Sequence, residues 1–479
     1  MCGSSCSVTL LGRVLIALSL FVVLTTAQPR VTVEQGVVVG TTETFQEDEF
    51  TGLNKNIDVY KGIPFAEPPI GPLRFKPPVK KARWTEDYDA TYFRAACMQD
   101  PFFKDILGFD RLDEDCLQLN IYAPNPKLPD GAAVMVFIHG GGFGFGSAIQ
   151  DVYNGKPLAA VGDVVVVTVN YRLSVFGFLT TADEASPGNY GLLDLIEALR
   201  WINKNIGEFG GDSNRITIFG ESAGSYNVGF LVLSELAEGL FHQAVLQSGP
   251  TFSHEIGPFT DEMNQIYQQL AFKTGEILGC SAPDTMALIE CLREFPNATA
   301  LLQVAEAVIP RIYPVIDGTF IKDTPANLYS TGNFNRVKIL LGTNADEGTL
   351  SFIFNPGFQD YLASKDPPPI NRTTFEALMA GMFASFYLYD EQVLDAVRMK
   401  YIDWSQAEYE DADYFRTFVD FGTDWLFACG TDKLARVHAQ WGLDVFLYQM
   451  THVPSISYYS FQGIGPGWLG ASHAEELPF

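Results

Sequence analysis

The sequence predicts an α/β fold, with a large, mostly parallel central sheet flanked by helices. Apolar runs at 132–138 and 215–219 read as short buried strands, and each breaks abruptly into glycines. Amphipathic stretches at 374–401 and 411–441 suit helices packed on a sheet. With 47% apolar and 18% charged residues, the chain carries enough apolar material to bury such a sheet. At ~150 residues per domain the length alone would allow about three domains. The motifs of a single site run from residue 139 to residue 473, however, so residues 28–479 are expected to close into one domain.

The first element of that site is the strand at 132–138, followed by His139-Gly140-Gly141-Gly142-Phe143. A strand that runs into consecutive glycines in this way is an oxyanion-hole loop of the HGGG type. Its backbone N–H groups would stabilise charge developing on a carbonyl oxygen, by about 2.7–4 kcal/mol per donor. The expected donors are Gly141, Gly142 and Ala223.

The second element reads Ile218-Phe219-Gly220-Glu221-Ser222-Ala223-Gly224-Ser225. G-x-S-x-G between a strand and a helix is a nucleophile elbow, in which the glycines allow a tight turn and backbone strain presents the Ser222 hydroxyl. The pattern alone is weak; the glycine loop upstream strengthens it.

A serine nucleophile needs a base and an acid to orient that base, in the chain order Ser, acid, His. The run 337–348 reads as a strand ending in a loop with adjacent Asp346 and Glu347, either of which can point at the base. Among the six histidines, His139 belongs to the glycine loop, His242 and His254 precede both acids, and His438 lies in a helical stretch. His452 ends a strand, whereas His473 sits in a loop of small residues suited to presenting a ring. His473 is the expected base.

Further stretches accompany these motifs: Lys61-Gly-Ile-Pro-Phe-Ala-Glu-Pro-Pro-Ile-Gly-Pro-Leu-Arg-Phe75, Glu114-Asp-Cys-Leu-Gln-Leu-Asn120, Asn170-Tyr-Arg-Leu173 and Gly188-Asn-Tyr-Gly-Leu-Leu-Asp194. With the elbow, they make the chain resemble the type B carboxylesterase and cholinesterase family of α/β-hydrolases over nearly its whole length. The resemblance implies a Ser222–Glu347–His473 triad, because the family's acid is the Glu of its Asp-Glu-Gly motif. It also implies support from Glu221, Ser248, Asp424 and Glu476. Three positions depart from the family pattern. Ala474 and Leu195 stand where Gly and Gln are usual, and Tyr226-Asn227 replace small residues after the elbow. Family members continue well beyond the position of Phe479, so the C-terminal end of the domain is expected to be missing from this sequence.

Residues 1–27 read as a secretory signal peptide: Arg13, the apolar run 14–24, then Thr25-Thr26-Ala27. The apolar run is short against the ~20 residues a membrane span needs. The mature chain is therefore expected to be extracellular and without a transmembrane segment. In that oxidising setting cysteines should pair. The expected bridges are Cys97–Cys116 and Cys280–Cys291, with Cys429 left over. Asn297 and Asn371 open N-x-T sequons, and Asn371, after a proline-rich loop, is the favoured glycan site.

The net charge of −26 argues against nucleic acid and anionic membranes as partners. The chain contains no G-x-x-x-x-G-K-[ST], H-E-x-x-H or C-x-x-C, so no cofactor or metal is expected. The expected partner is a small-molecule ester, hydrolysed through an acyl-enzyme on Ser222. Cholinesterases hold their quaternary ammonium on a Trp between the first two cysteines, and 98–115 contains Phe102, Phe103 and Phe109 but no Trp, which disfavours choline esters. Two rival readings are a non-catalytic adhesion protein on the same fold and a specialised lipase or hormone esterase. Juvenile-hormone esterases carry Gln before the serine, where this chain has Glu221. The stretches 374–401 and 411–441 are candidates to line a substrate gorge, although plain packing on the sheet is the simpler role.

Overall fold

A computed structural model of the chain describes residues 28–49, 52–252, 261–309, 312–385, 390–406, 409, 412–455, 457–459 and 467–478. The expected leader, His254 and Phe479 lie outside them. The central sheet has nine strands: β1 Thr41–Glu47, β2 Leu53–Pro64, β3 Gln118–Asn125, β4 Ala132–Ile138, β5 Val165–Val169, β6 Gly211–Glu221, β7 Gln243–Gln247, β8 Lys338–Asn344 and β9 Val445–Met450. Their spatial order is β9-β8-β7-β6-β4-β5-β3-β2-β1. From β9 across to β5 all neighbours are parallel, and β3, β2 and β1 close the other edge in antiparallel fashion.

The centre of the sheet is β-branched and dry. All five residues of β5, Val-Val-Val-Thr-Val, are buried, as expected of a parallel strand covered on both faces. The helices named below are α1 Pro101–Leu107, α2 Tyr190–Asn205, α3 Ala223–Leu233, α4 Leu350–Ile353, α5 Arg372–Ser385, α6 Glu391–Tyr401, α7 Phe415–Thr423 and α8 Cys429–Gln440. Between α7 and α8 the helix widens into a π turn over Asp424–Ala428.

Both expected disulfides are present, Cys97–Cys116 and Cys280–Cys291, and Cys429 is an exposed free thiol. The two sequon asparagines are exposed and each caps a helix. Asn297 Oδ1 accepts from the Ala300 N–H at 3.0 Å and Asn371 Oδ1 from the Thr374 N–H at 2.9 Å. Asn371 therefore opens α5 directly after the proline-rich loop, where its side chain satisfies one of the unpaired N–H groups of the first turn.

Candidate active site

The carboxyl ends of β4, β6 and β8 lie close together at one end of the sheet, and each runs into one expected part of the site. Ile138 at the end of β4 is in register with Gly220 near the end of β6, so the glycine loop and the elbow become neighbours. Loops beyond the carboxyl ends of parallel strands are where such sheets place ligands.

The elbow is built as its sequence requires. Ser222 sits at φ 57° and ψ −126°, outside the regions an L-residue prefers, before α3 starts at Ala223. Its N–H donates to the Gln247 carbonyl at 2.9 Å and its carbonyl accepts from the Tyr226 N–H at 3.0 Å, so the strained residue is tied at both ends. A Cβ on Gly224 would lie 2.0 Å from the Ile138 carbonyl oxygen, and one on Gly220 would lie 2.6 Å from the Gly224 backbone. Only glycine fits at either place.

The glycine loop turns back on itself, with the Gly144 and Phe145 N–H groups both donating to the Gly141 carbonyl at 3.0 Å. Gly141 at φ 104° and Gly142 at φ 58° have backbones that L side chains rarely adopt. This leaves the N–H groups of Gly141, Gly142 and Ala223 without a hydrogen-bond acceptor among the described residues. Buried beneath the loop, the His139 ring stacks on Tyr171 at 4.6 Å and places Nδ1 2.9 Å from the Gly140 carbonyl. Burial lowers its pKa to about 4, so this imidazole is a neutral brace for the loop.

After β8 the two adjacent acids separate their tasks. Glu347 is fully buried, with Oε2 2.6 Å from His473 Nδ1. Its Oε1 accepts from the Asn344 N–H at 2.7 Å and from the Ser248 hydroxyl at 2.5 Å. Asp346 instead braces the histidine loop, accepting from the Ala471 N–H at 2.8 Å and pairing with Arg416. Ser248 is thereby in contact with Glu347. Glu476 joins the site at its edge, accepting from Asn344 Nδ2 at 2.7 Å. Asp424 does not: its carboxylate accepts from the Tyr401 hydroxyl at 2.7 Å, one layer away in the π turn.

His473 is held between two carboxylates, since its Nε2 stands 2.9 Å from Glu221 Oε1. Burial opposes the charged imidazole, but Glu221 and Glu347 together outweigh it and hold the pKa well above the ordinary histidine value. Burial, with repulsion from Glu221 and Glu347, likewise pushes the Glu476 carboxyl up to about 8. Ser222 and His473 line one cavity of about 590 Å³, without a direct hydrogen bond between them among the described residues.

A model of the carboxylesterase family matches residues 27–479. Acetylcholinesterase of Electrophorus electricus is 35% identical over 470 residues, covering 88% of this chain and 71% of that protein. Carboxylesterase 5A of Canis lupus familiaris is 35% identical over 441 residues, covering 89% of this chain and 72% of that protein. The chain belongs to the carboxylesterase family. It is accordingly a carboxylic ester hydrolase on the α/β-hydrolase fold.

The family's sequence stretches acquire physical roles here. Arg172 and Asp194 form a buried bidentate pair at 2.8 and 2.7 Å, locking α2 to the segment after β5. Arg74 pairs with Glu114 in the same way and also donates to the Leu292 and Phe295 carbonyls, tying the N-terminal segment to the region of the second disulfide. Of the departures from the family pattern, Ala474 takes φ 67°, a left-handed conformation in which glycine is unstrained. Tyr226 lines the cavity and Leu195 is simply buried.

Three contacts carry no local signal in the sequence. Phe427, from the π turn, stacks on the His473 ring at 4.7 Å. Tyr459 donates its hydroxyl to the His473 carbonyl at 2.7 Å. Asn344 Nδ2 donates to the Ser472 carbonyl at 2.7 Å. The stretches offered as gorge walls contribute little: Phe427 is the one described residue of 411–441 on the cavity, and none comes from 374–401. The walls are instead α1, the glycine loop, and α4 with the residues after it.

Proposed function

We propose that this carboxylesterase-family chain hydrolyses a small-molecule carboxylic ester through an acyl-enzyme on Ser222. The supporting observation is the convergence on one cavity of Ser222, His473 and the unbonded N–H groups of Gly141, Gly142 and Ala223, with Glu347 behind the imidazole. His473 takes the Ser222 proton as the hydroxyl oxygen attacks the carbonyl carbon, and the three N–H groups receive the oxyanion. The intermediate collapses when His473 returns the proton to the departing alcohol. Water, deprotonated by the same imidazole, then attacks the acyl-enzyme and releases the acid. Glu347 fixes the ring with Nδ1–H towards itself, which leaves Nε2, 2.9 Å from Glu221 Oε1 in this structure, as the nitrogen to exchange the proton with Ser222.

The reading extends to location and modification. Disulfides, two exposed sequons and the expected leader favour a secreted glycoprotein. No helix among the described residues is long and apolar enough to cross a membrane. Turnover of p-nitrophenyl acetate by Ser222→Ala tests the chemistry. A loss of about 10⁴-fold or more with an unchanged melting temperature is expected, on the scale of nucleophile removal in other serine hydrolases. Turnover that survives the substitution contradicts the assignment, and a folded wild-type chain inert to every ester leaves a binding role.

A further inference from the structure

Resting on the esterase reading above, we propose that Glu306 is a positioning residue for the oxyanion loop, acting through the Ser174 hydroxyl on the backbone of Phe143. The loop is strained where it presents its donors. Gly141, Gly142 and Phe143 take φ of 104°, 58° and 61° in succession, and the third is not a glycine. A left-handed backbone at a bulky residue persists only where its surroundings over-determine it. Two contacts from the short helix Ser174–Phe178 do so. The Ser174 N–H donates to the Phe143 carbonyl at 2.7 Å, and the Phe178 ring meets the Phe143 ring edge-on at 5.4 Å.

Ser174 is itself buried and left-handed, at φ 48°. Its hydroxyl donates to Glu306 Oε1 at 2.7 Å, across 132 residues of sequence. A carboxylate acceptor makes such a bond stronger than one between neutral groups. The acceptor also comes from a fixed element. Glu306 lies on the helix Ala298–Val308, whose Leu301, Leu302 and Ala305 are buried in one apolar cluster with Val175, Phe176 and Cys280. That helix is therefore packed on the residues that directly follow Ser174, and its carboxylate pins the Ser174 side chain from a set position. Without the carboxylate, the buried hydroxyl loses this acceptor, which is costly, and Ser174 is released to relax towards an ordinary φ. Such a relaxation turns its N–H away from the Phe143 carbonyl and frees the exit of the loop, so that the Gly141 and Gly142 N–H groups lose their aim. Oxyanion donors act on charge that develops in the transition state, so the effect belongs to kcat rather than to substrate binding.

The test uses the full chain with p-nitrophenyl acetate, and with a trifluoromethyl ketone that adds to a nucleophilic serine and places an oxyanion in the hole. Glu306→Ala should lower kcat by about tenfold or more, short of the ~10²–10³ that follows outright loss of one oxyanion donor, with KM nearly unchanged. Affinity for the ketone should fall by the same factor. Glu306→Gln, whose amide oxygen can still accept from Ser174, should recover most of both. Ser174→Ala should reproduce the Glu306→Ala loss, and the double variant should lose no more than either single one, because all three remove one contact. Ser174→Ala also provides the readout if Glu306→Ala folds poorly. A loss that falls on KM alone, a Gln variant as impaired as the Ala variant, additive losses in the double variant, or wild-type kcat in Ser174→Ala would overturn the proposal while leaving the esterase reading intact. Failure of that reading is distinct, because the folded wild-type chain would then turn over no ester at all.

Discussion

At the scale of single residues, Ala474 shows how a departure from a family pattern becomes physical. Its φ of 67° places a Cβ where the backbone favours glycine, next to the histidine that the site depends on. Replacing it with glycine removes a strain of roughly 1–2 kcal/mol, partly offset by the greater entropy of the unfolded glycine. Ala474→Gly should therefore raise the midpoint of denaturant unfolding, and a lower midpoint would show that the strain is relieved some other way. Glu221 provides a second test. As one of the two carboxylates that raise the His473 pKa, it should place the acidic limb of the kcat/KM profile above the ordinary histidine range, because the proposed base must be neutral to act. Glu221→Gln should move that limb to lower pH; a limb that stays in place would remove Glu221 from the control of the base.

Among the elements, those whose function is written in a contiguous run of residues are legible from the amino acids themselves. The strand–glycine loop at 132–143 and the elbow at 218–225 follow from local sterics, since a Cβ at Gly224 collides with the neighbouring strand. The choice between Asp346 and Glu347 does not follow from local residues; it needs the family resemblance, and the geometry accounts for it by giving each acid a different partner. Amphipathic period reports that one face of a helix is covered but not by what. For that reason α5 and α6 are legible as helices yet not as bystanders to the cavity. The same limit hides Phe427 and Tyr459, which lie on other segments than His473 and whose own neighbours carry no pattern. Conversely α1, seven residues with no buried member, gives only a weak helical signal and yet forms one wall. The Cys97–Cys116 disulfide closes the loop that carries it. Removing that bridge by Cys97→Ser with Cys116→Ser should cost about 3 kcal/mol by the loop-entropy estimate and raise KM, measured by urea unfolding and ester kinetics. Unchanged KM would mean that α1 holds its place without the bridge.

Over the whole molecule, the site gathers three carboxylates, Glu221, Glu347 and Glu476, around a single imidazole, in a chain of net charge −26. The Glu476 carboxyl, with its pKa raised to about 8, keeps a proton in the folded state that an unfolded glutamate releases near pH ~4.3. Between those values the native state binds more protons than the unfolded one, so this group's contribution to stability is full below the lower value and falls as pH rises towards the upper. Melting temperatures of Glu476→Gln should vary less with pH across that window than those of the wild type, and parallel curves would show that Glu476 is not the group responsible. The α/β character of the fold around this cluster is legible because the apolar strands and glycine breaks are local. The two buried Arg–carboxylate pairs that join its distant parts are visible in the sequence only as family motifs without a function.

The central claim is that Ser222 becomes acylated. The most direct measurement is to treat the folded protein with a fluorophosphonate probe and map the adduct by peptide mass spectrometry, with Ser222→Ala as the control. A single adduct on the peptide carrying Ser222, absent from the variant, is the predicted result. A folded protein that takes no label, or takes it on another residue, would contradict the account.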